Sequence, residues 1–291
     1  MGRRSARETA KATQRSKPQP RKRVAQVRPW DGNDVAWVAV ALLIFAVLTI
    51  LTLSHRFTAL MPDEGIIGVR VVLLIVFYLG LLMILAYRAH CRNLSFAEAY
   101  RLRKLSPDEL EKQQFPLWKR SNKKEGEEGV QPHSEADAKQ FLPAWKSVLL
   151  VIFLFFVVRS IATVYTYVTR ELGWITPPSE SLTNLFSPTL LGLAAAVVSI
   201  VLLAPFIEEL VFRVIMFDTF AQKMSIAVAV ILQGLIFSLY HLSLWAALPN
   251  FLLALACVYL VQKCRTVLPA IFLHALNNAA VVAAAFYIAM V

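Results

Sequence analysis

Charged residues, glycine and cysteine are all scarce in this chain, and each shortage narrows the class of protein. Only 17% of the residues are charged and 57% are hydrophobic, a balance that a water-soluble domain does not sustain. The ten glycines and the long apolar runs favour membrane helices over a membrane β-barrel. Three scattered cysteines exclude a disulfide framework, and Cys257 and Cys264 are expected to pack in the core rather than hold a metal. The shortages predict a multi-pass helical membrane protein.

Several catalytic motifs are also missing from the sequence. There is no His-Glu-x-x-His pair, so a conventional zinc metalloprotease is not supported. The membrane region has no Gly-x-Ser-x-Gly elbow for a serine nucleophile, and no glycine-rich phosphate loop occurs. The sequence contains no internal repeat, so it does not suggest an inverted-repeat transporter. A water molecule is the natural nucleophile for any hydrolysis that this chain performs.

The net charge of +11 is concentrated at the N-terminus. The first thirty residues hold ten Lys or Arg and a single acid, Glu8. Residues 1–33 are poor in apolar side chains and are predicted to form a disordered basic cytoplasmic arm. Such an arm either touches RNA or lies against anionic lipid. We expect contact with membrane lipids and no nucleic-acid partner.

The apolar runs predict an all-α transmembrane bundle of about seven spans with a polar intramembrane cavity. Residues 34–88 hold the first two spans, 89–146 form a hydrophilic cytoplasmic insert, and 147–291 form a bundle with a catalytic core at 189–291. The sixth span is the least secure, because Pro249 is expected to interrupt it. The predicted spans are Val35–Leu53, Gly65–Tyr87, Ser147–Thr169, the run from Thr189 into Glu208, Met224–Tyr240, Leu242–Gln262 and Thr266–Val291.

Basic residues cluster before the first span, after the second, and between the sixth and seventh. The positive-inside rule therefore predicts a cell-membrane protein whose N-terminus is cytoplasmic.

Two carboxylates interrupt the fourth span at a depth where acids are costly. Thr189–Ile207 contains no charge, and Glu208, Glu209 and Arg213 follow it directly. Glu209 and Arg213 are one helical turn apart and can pair, whereas Glu208 points about 100° away. We predict that Glu209 is a structural acid and that Glu208 is free to act as a general base. The alternative is a salt-bridged helix without chemistry.

Two histidines follow on later apolar helices. His241 ends the fifth span, where a lone histidine is commonly interfacial. His274 and Asn278 are one turn apart on the seventh span and can donate hydrogen bonds to a single point, as an oxyanion hole requires. Alone they would serve as polar contacts between helices. Polar groups on three apolar helices together predict one site.

Three motifs at one-turn spacing carry these residues. They are Glu208-Glu209-x-x-x-Arg213, Phe237-x-x-x-His241 and His274-x-x-x-Asn278. Their order on successive apolar helices resembles the signature of the CPBP intramembrane proteases, which include type II CAAX prenyl endopeptidases and bacterial Abi or bacteriocin-immunity proteins. The resemblance covers about Thr189–Val291, and the rest of the chain has no recognised motif.

The resemblance implies an intramembrane endopeptidase that cleaves a membrane-proximal, CAAX-type or related peptide. Glu208 and His241 would activate the attacking water, and His274 and Asn278 would stabilise the oxyanion. Structural support would come from Glu209, which we also count among the catalytic set, and from two further motif positions, Arg213 and Phe237.

Family members are described both as metal-free glutamate proteases and as metalloproteases. We expect no cofactor here, with zinc bound by Glu208, His241 and His274 as the alternative. The partners would be membrane lipids and a peptide or protein substrate with a membrane-proximal, lipidated or unlipidated segment. The alternative function is a non-catalytic immunity or scaffold protein that uses the same cavity for binding, and a transporter is a distant third.

Two further expectations concern position within the membrane. Arg159 lies near the middle of the third span and is expected to pair with an acid from another helix, Glu209 being one candidate. Straight helices counted from Lys223 would not bring Glu208, His241 and His274 to one depth. Tilted helices, or an interfacial segment around Phe217–Met224, would be needed.

Overall fold

A computed structural model of the protein describes residues 30–53, 63–104, 142–174, 182 and 185–290. Residues 1–29 of the predicted arm and 105–141 of the predicted insert lie outside this part of the chain. The described residues form helices and no strand. The predicted all-α fold is therefore confirmed.

The helices follow the predicted apolar runs closely. Pro249 lies inside one of them without interrupting it, so the expected break there is wrong. The helices are α1 (Gly32–Leu53), α2 (Asp63–Cys91), α3 (Phe96–Ala99), α4 (Ala144–Glu171), α5 (Leu190–Lys223), α6 (Ile226–Tyr240), α7 (Leu244–Cys264) and α8 (Leu268–Met290).

Five of these helices are long and apolar enough to cross a membrane, namely α2 from Val71 onward, α4, α5, α7 and α8. Two shorter apolar helices, Gly32–Ile44 within α1 and α6, bring the number close to the predicted seven. Many large side chains on their outer faces are exposed, including Phe153, Phe156 and Phe272. Exposed apolar faces on long helices are what a bilayer covers. The chain is a multi-pass membrane protein.

Helix α5 is the central element, because its middle and end are the most buried stretch among the described residues. Thr189 caps its start by accepting a hydrogen bond from the Gly192 backbone N–H at 3.1 Å. A side chain at Gly192 would lie 1.9 Å from the Phe186 carbonyl oxygen, so only glycine fits there. Two π-helical segments, Val197–Leu203 and Leu210–Met216, flank the α-helical turn Ala204–Glu209. Wide turns of this kind often occur at functional sites.

A buried ion pair joins α5 to the segment after α3. The Arg101 guanidinium binds the Asp218 carboxylate, and both side chains are buried. The Arg101 carbonyl accepts hydrogen bonds from the Val267 N–H at 3.0 Å and the Thr266 hydroxyl at 2.9 Å. These four residues, which we call the Arg101 layer, hold the described start of the predicted insert against the bundle.

The Arg101 layer links the two helices that carry the acids and His274. Asp218 binds the guanidinium of Arg101, and Thr266 binds its backbone carbonyl. Glu208 lies ten residues before Asp218 on α5, and His274 lies eight residues after Thr266. Helix α5 continues past this layer to Lys223. Phe217–Lys223, which covers most of the segment named as one of the two alternatives, forms the last turns of α5.

Candidate active site

The Glu209 carboxylate is the centre of a buried ionic network. Arg213, one turn further along α5, places its Nε 2.9 Å from Glu209 Oε2 and donates from Nη2 to Oε1 at 3.1 Å. The predicted pairing of these two residues is therefore confirmed. Arg213 also donates to Gln233 Oε1 at 2.6 Å and stacks on the Phe237 ring at 4.5 Å. Because Glu209 and Arg213 are fully buried, this network fixes α5 against α6.

Glu208 lies outside that network, as the helical geometry predicted. The Tyr78 hydroxyl of α2 donates to Glu208 Oε1 at 3.0 Å, and both groups are buried. The other oxygen, Oε2, is buried and has no hydrogen-bond partner among the residues that the structure describes. It lies 3.9 Å from Nε2 of His241 and 3.9 Å from Nε2 of His274. The structure thus brings one carboxylate oxygen and two imidazole nitrogens together.

The hydrogen bonds of the two imidazoles assign their tautomers. His241 Nδ1 lies 2.8 Å from the Phe237 carbonyl oxygen, which can only accept, so this nitrogen carries a proton. His274 Nδ1 lies 2.9 Å from Glu209 Oε1, and the carboxylate paired with Arg213 also accepts. In the neutral form of either ring, Nε2 therefore presents a lone pair towards Glu208 Oε2. Three acceptor atoms facing one point call for a proton-bearing group between them.

Asn278 was predicted to donate a hydrogen bond to an oxyanion, but its amide nitrogen already bonds the backbone. Its amide nitrogen donates to the Ile200 carbonyl, in a π-helical segment of α5, at 2.9 Å. This bond uses one of the two N–H groups that an amide offers. Its neighbour Asn277 contacts the Asn278 side-chain oxygen at 3.5 Å. An oxyanion role for Asn278 stays a prediction that depends on the remaining N–H.

Arg159 does not pair with an acid in the part of the chain that the structure describes. Among the described residues its hydrogen-bond partner is the Asn277 side-chain oxygen, at 3.3 Å, and no described carboxylate lies within 4.0 Å. The expectation of a carboxylate partner was therefore wrong. The half-buried guanidinium reaches α8 through an amide, which offers an acceptor without a neutralising charge.

Two residues of the site escaped sequence analysis. Gln233 is the only amide in the apolar run of α6 and stands two turns before His241, so its polarity could have revealed it. Tyr78 gave no such signal, because tyrosines are common in membrane helices. It also lies in α2, far from the three motifs. Only the fold shows that α2 contributes to the site.

The metal hypothesis was compared with the geometry of the same side chains. The described residues contain no group of three or more His, Cys, Asp or Glu that is arranged to hold a metal ion. Tetrahedral zinc with bonds of about 2.0–2.2 Å would draw its ligand atoms to within about 3.5 Å of one another. Glu208 Oε2 is 3.9 Å from each imidazole Nε2. The present arrangement is wider than a closed zinc site.

Together, the fold and the site define a helical membrane protein with a buried carboxylate–imidazole cluster inside the bundle. Residues 190–280 match the family described as type II CAAX prenyl endopeptidase Rce1-like, over about a third of the chain. This match supports membership of this part of the chain in the CPBP family of intramembrane proteases, which the three motifs had predicted. Neither the curated proteins nor the solved structures that were compared gave a match.

Proposed function

We propose that this protein is an intramembrane endopeptidase that hydrolyses a membrane-proximal peptide bond by means of an activated water molecule. The observation that carries the proposal is the unpartnered Oε2 of Glu208, buried and 3.9 Å from two imidazole nitrogens. A buried carboxylate oxygen without a partner is costly. A bound water would satisfy this oxygen, and a carboxylate beside a bound water is suited to general-base catalysis.

The attack begins with the water oxygen bonding to the scissile carbonyl carbon. One water proton passes to Glu208 Oε2, and His241 Nε2 accepts a hydrogen bond from the other. The carbonyl electron pair moves to its oxygen and creates an oxyanion. In this reacting state His274 is the imidazolium in place of the neutral ring described above, and it donates its Nε2–H to the oxyanion. Glu209 stabilises the positive charge of that imidazolium, as the aspartate of a serine-protease triad does.

The intermediate collapses when its carbonyl bond re-forms and the carbon–nitrogen bond breaks. The leaving amine takes the proton held by Glu208, which restores the carboxylate. Glu208 thus acts first as base and then as acid, so no covalent intermediate with the enzyme is needed. Tyr78 keeps its bond to Oε1 throughout and leaves Oε2 directed at the water.

We further propose that the substrate is a peptide or protein with a lipidated, CAAX-type or related membrane segment. The N-terminus of the enzyme would be cytoplasmic. The basic arm would lie near anionic lipid and would not bind nucleic acid. Support comes from the family of residues 190–280 and from the distribution of basic residues.

The proposed function is tested by reconstituting the full chain in liposomes with prenylated CAAX-type and unprenylated peptides. We expect cleavage fragments by mass spectrometry, and less than twofold loss of activity after exhaustive treatment with EDTA and 1,10-phenanthroline. A zinc-dependent mechanism is the alternative. Histidine ligands of zinc commonly donate a hydrogen bond from their other ring nitrogen to a carboxylate, and His274 Nδ1 is bonded to Glu209 in this way. Chelator-sensitive activity that zinc restores would refute the metal-free mechanism. No cleavage of any peptide would refute the protease assignment.

Tyr78→Phe removes one hydroxyl and leaves the aromatic ring. We expect kcat to fall about tenfold with KM changed less than twofold, because the lost bond to a carboxylate frees Glu208 to rotate. The measurement is steady-state hydrolysis in liposomes. Tyr87→Phe, on the exposed face of the same helix, is the matched control and should be unchanged. Unaltered kcat in Tyr78→Phe would show that this hydroxyl has no positioning role.

A further inference from the structure

Arg159 is a charged residue inside a membrane helix that the proposed chemistry does not use. It lies near the middle of α4, about 18 Å along the helix from Ser147. Intramembrane arginines are rare and normally face a partner or a wet cavity. Among the described residues Arg159 has one hydrogen-bond partner, Asn277, and no carboxylate within 4.0 Å. Its positive charge therefore lacks a protein counter-ion in this part of the chain.

The guanidinium lies close to the candidate active site. Asn277, its partner on α8, stands three residues after His274, so the two Cβ atoms are about 5–6 Å apart. Asn277 also contacts Asn278. In addition, the Tyr165 hydroxyl of α4 donates to the Leu244 carbonyl at the start of α7. Leu244 lies three residues after His241, so this bond holds α4 against the start of α7 at a point six residues from Arg159.

A guanidinium offers five N–H donors, and its bond to Asn277 uses one of them. The side chain is half-buried, and Asn277 is its one hydrogen-bond partner among the described residues, so further donors remain for a ligand. Planar paired N–H groups suit an oxygen anion with two acceptor atoms, such as a carboxylate. The site therefore has an electropositive point one turn from His274.

We propose that Arg159 and Asn277 form an anion subsite that binds the C-terminal carboxylate of the peptide substrate. The inference rests on the proposed protease function, since C-a-a-X motifs end the chains that carry them. A peptide extended at about 3.3–3.6 Å per residue covers the short distance between His274 and this subsite with a few residues. Binding the carboxylate would neutralise Arg159 and fix which peptide bond lies over Glu208.

The test compares two farnesylated peptides that differ only at the C-terminus, one a free acid and the other an amide. Binding is measured to the full-length Glu208→Gln protein in phosphatidylcholine liposomes, so that hydrolysis does not interfere. We expect the acid to bind about 10- to 100-fold more tightly than the amide, the range for a hydrogen-bonded charge. With Arg159→Gln added, only the acid should weaken, and the preference should fall below about threefold. Arg159→Lys should restore part of it.

Equal binding of the two peptides to protein that retains Arg159 would overturn the subsite, and this arm needs no substitution at Arg159. A preference that survives Arg159→Gln would overturn it as well. A lipid-phosphate site would instead show Arg159-dependent binding of phosphatidic acid and no preference between acid and amide. An acid preference without hydrolysis by the wild-type protein would retain the subsite and refute the protease assignment. Hydrolysis without an acid preference would retain the protease assignment and refute the subsite.

Discussion

Glu208→Gln is expected to lower kcat by about a thousandfold while leaving the fold intact. Glutamine preserves the shape of the side chain and can still accept the Tyr78 hydrogen bond, but it cannot take a proton from water. General acid–base groups contribute about 10²- to 10⁴-fold to rate. The measurement is single-turnover hydrolysis in liposomes, alongside thermal unfolding to show that stability is retained.

Glu171→Gln is the matched control, because Glu171 is exposed at the end of α4. It should retain full activity. A Glu208→Gln variant with more than about a tenth of wild-type activity would contradict the role of general base. If the wild-type protein protects cells as an immunity factor and the variant protects equally, the binding function would replace catalysis.

Arg213→Met is expected to be the most destabilising single change at the site. Arg213 is fully buried, and its removal leaves the Glu209 carboxylate buried without its arginine partner and Gln233 without its donor. Breaking a buried pair in this way costs about 3–5 kcal/mol. The free energy of unfolding, measured by denaturant titration in detergent micelles, gives the value directly.

The double variant Glu209→Leu with Arg213→Met should be more stable than Arg213→Met alone, because it removes the orphaned charge as well. Arg170→Met provides the control for losing a cation. Arg170 is exposed near the end of α4, and the change should stay within about 0.5 kcal/mol. If Arg213→Met falls in that same range, the pair does not hold α5 against α6.

The three motifs predicted much of the arrangement because helical spacing is a local property. One turn separates Glu209 from Arg213, and a rotation of about 100° separates Glu208 from Glu209, so their different surroundings followed from the sequence. The helices were also predictable from the sequence, because an apolar run long enough to cross a membrane has few structures open to it other than a helix.

Long-range contacts were not predictable in the same way. Arg159 was expected to find an acid because charge is the strongest preference of a buried arginine, yet the packing of α4 on α8 offers it Asn277. The buried ion pair of Arg101 and Asp218 likewise joins residues that are far apart in sequence. Neither contact leaves a periodic signal in the sequence.

The Tyr78 hydroxyl has a consequence for how this protein can be divided. Residues 190–280, the segment that matches the family, contain both acids and both imidazoles but not this phenol. A chimera that joins this segment to a foreign amino-terminal half would keep the reacting groups but lose the hydrogen bond that Tyr78 donates to Glu208. The smallest transplantable unit therefore begins no later than α2.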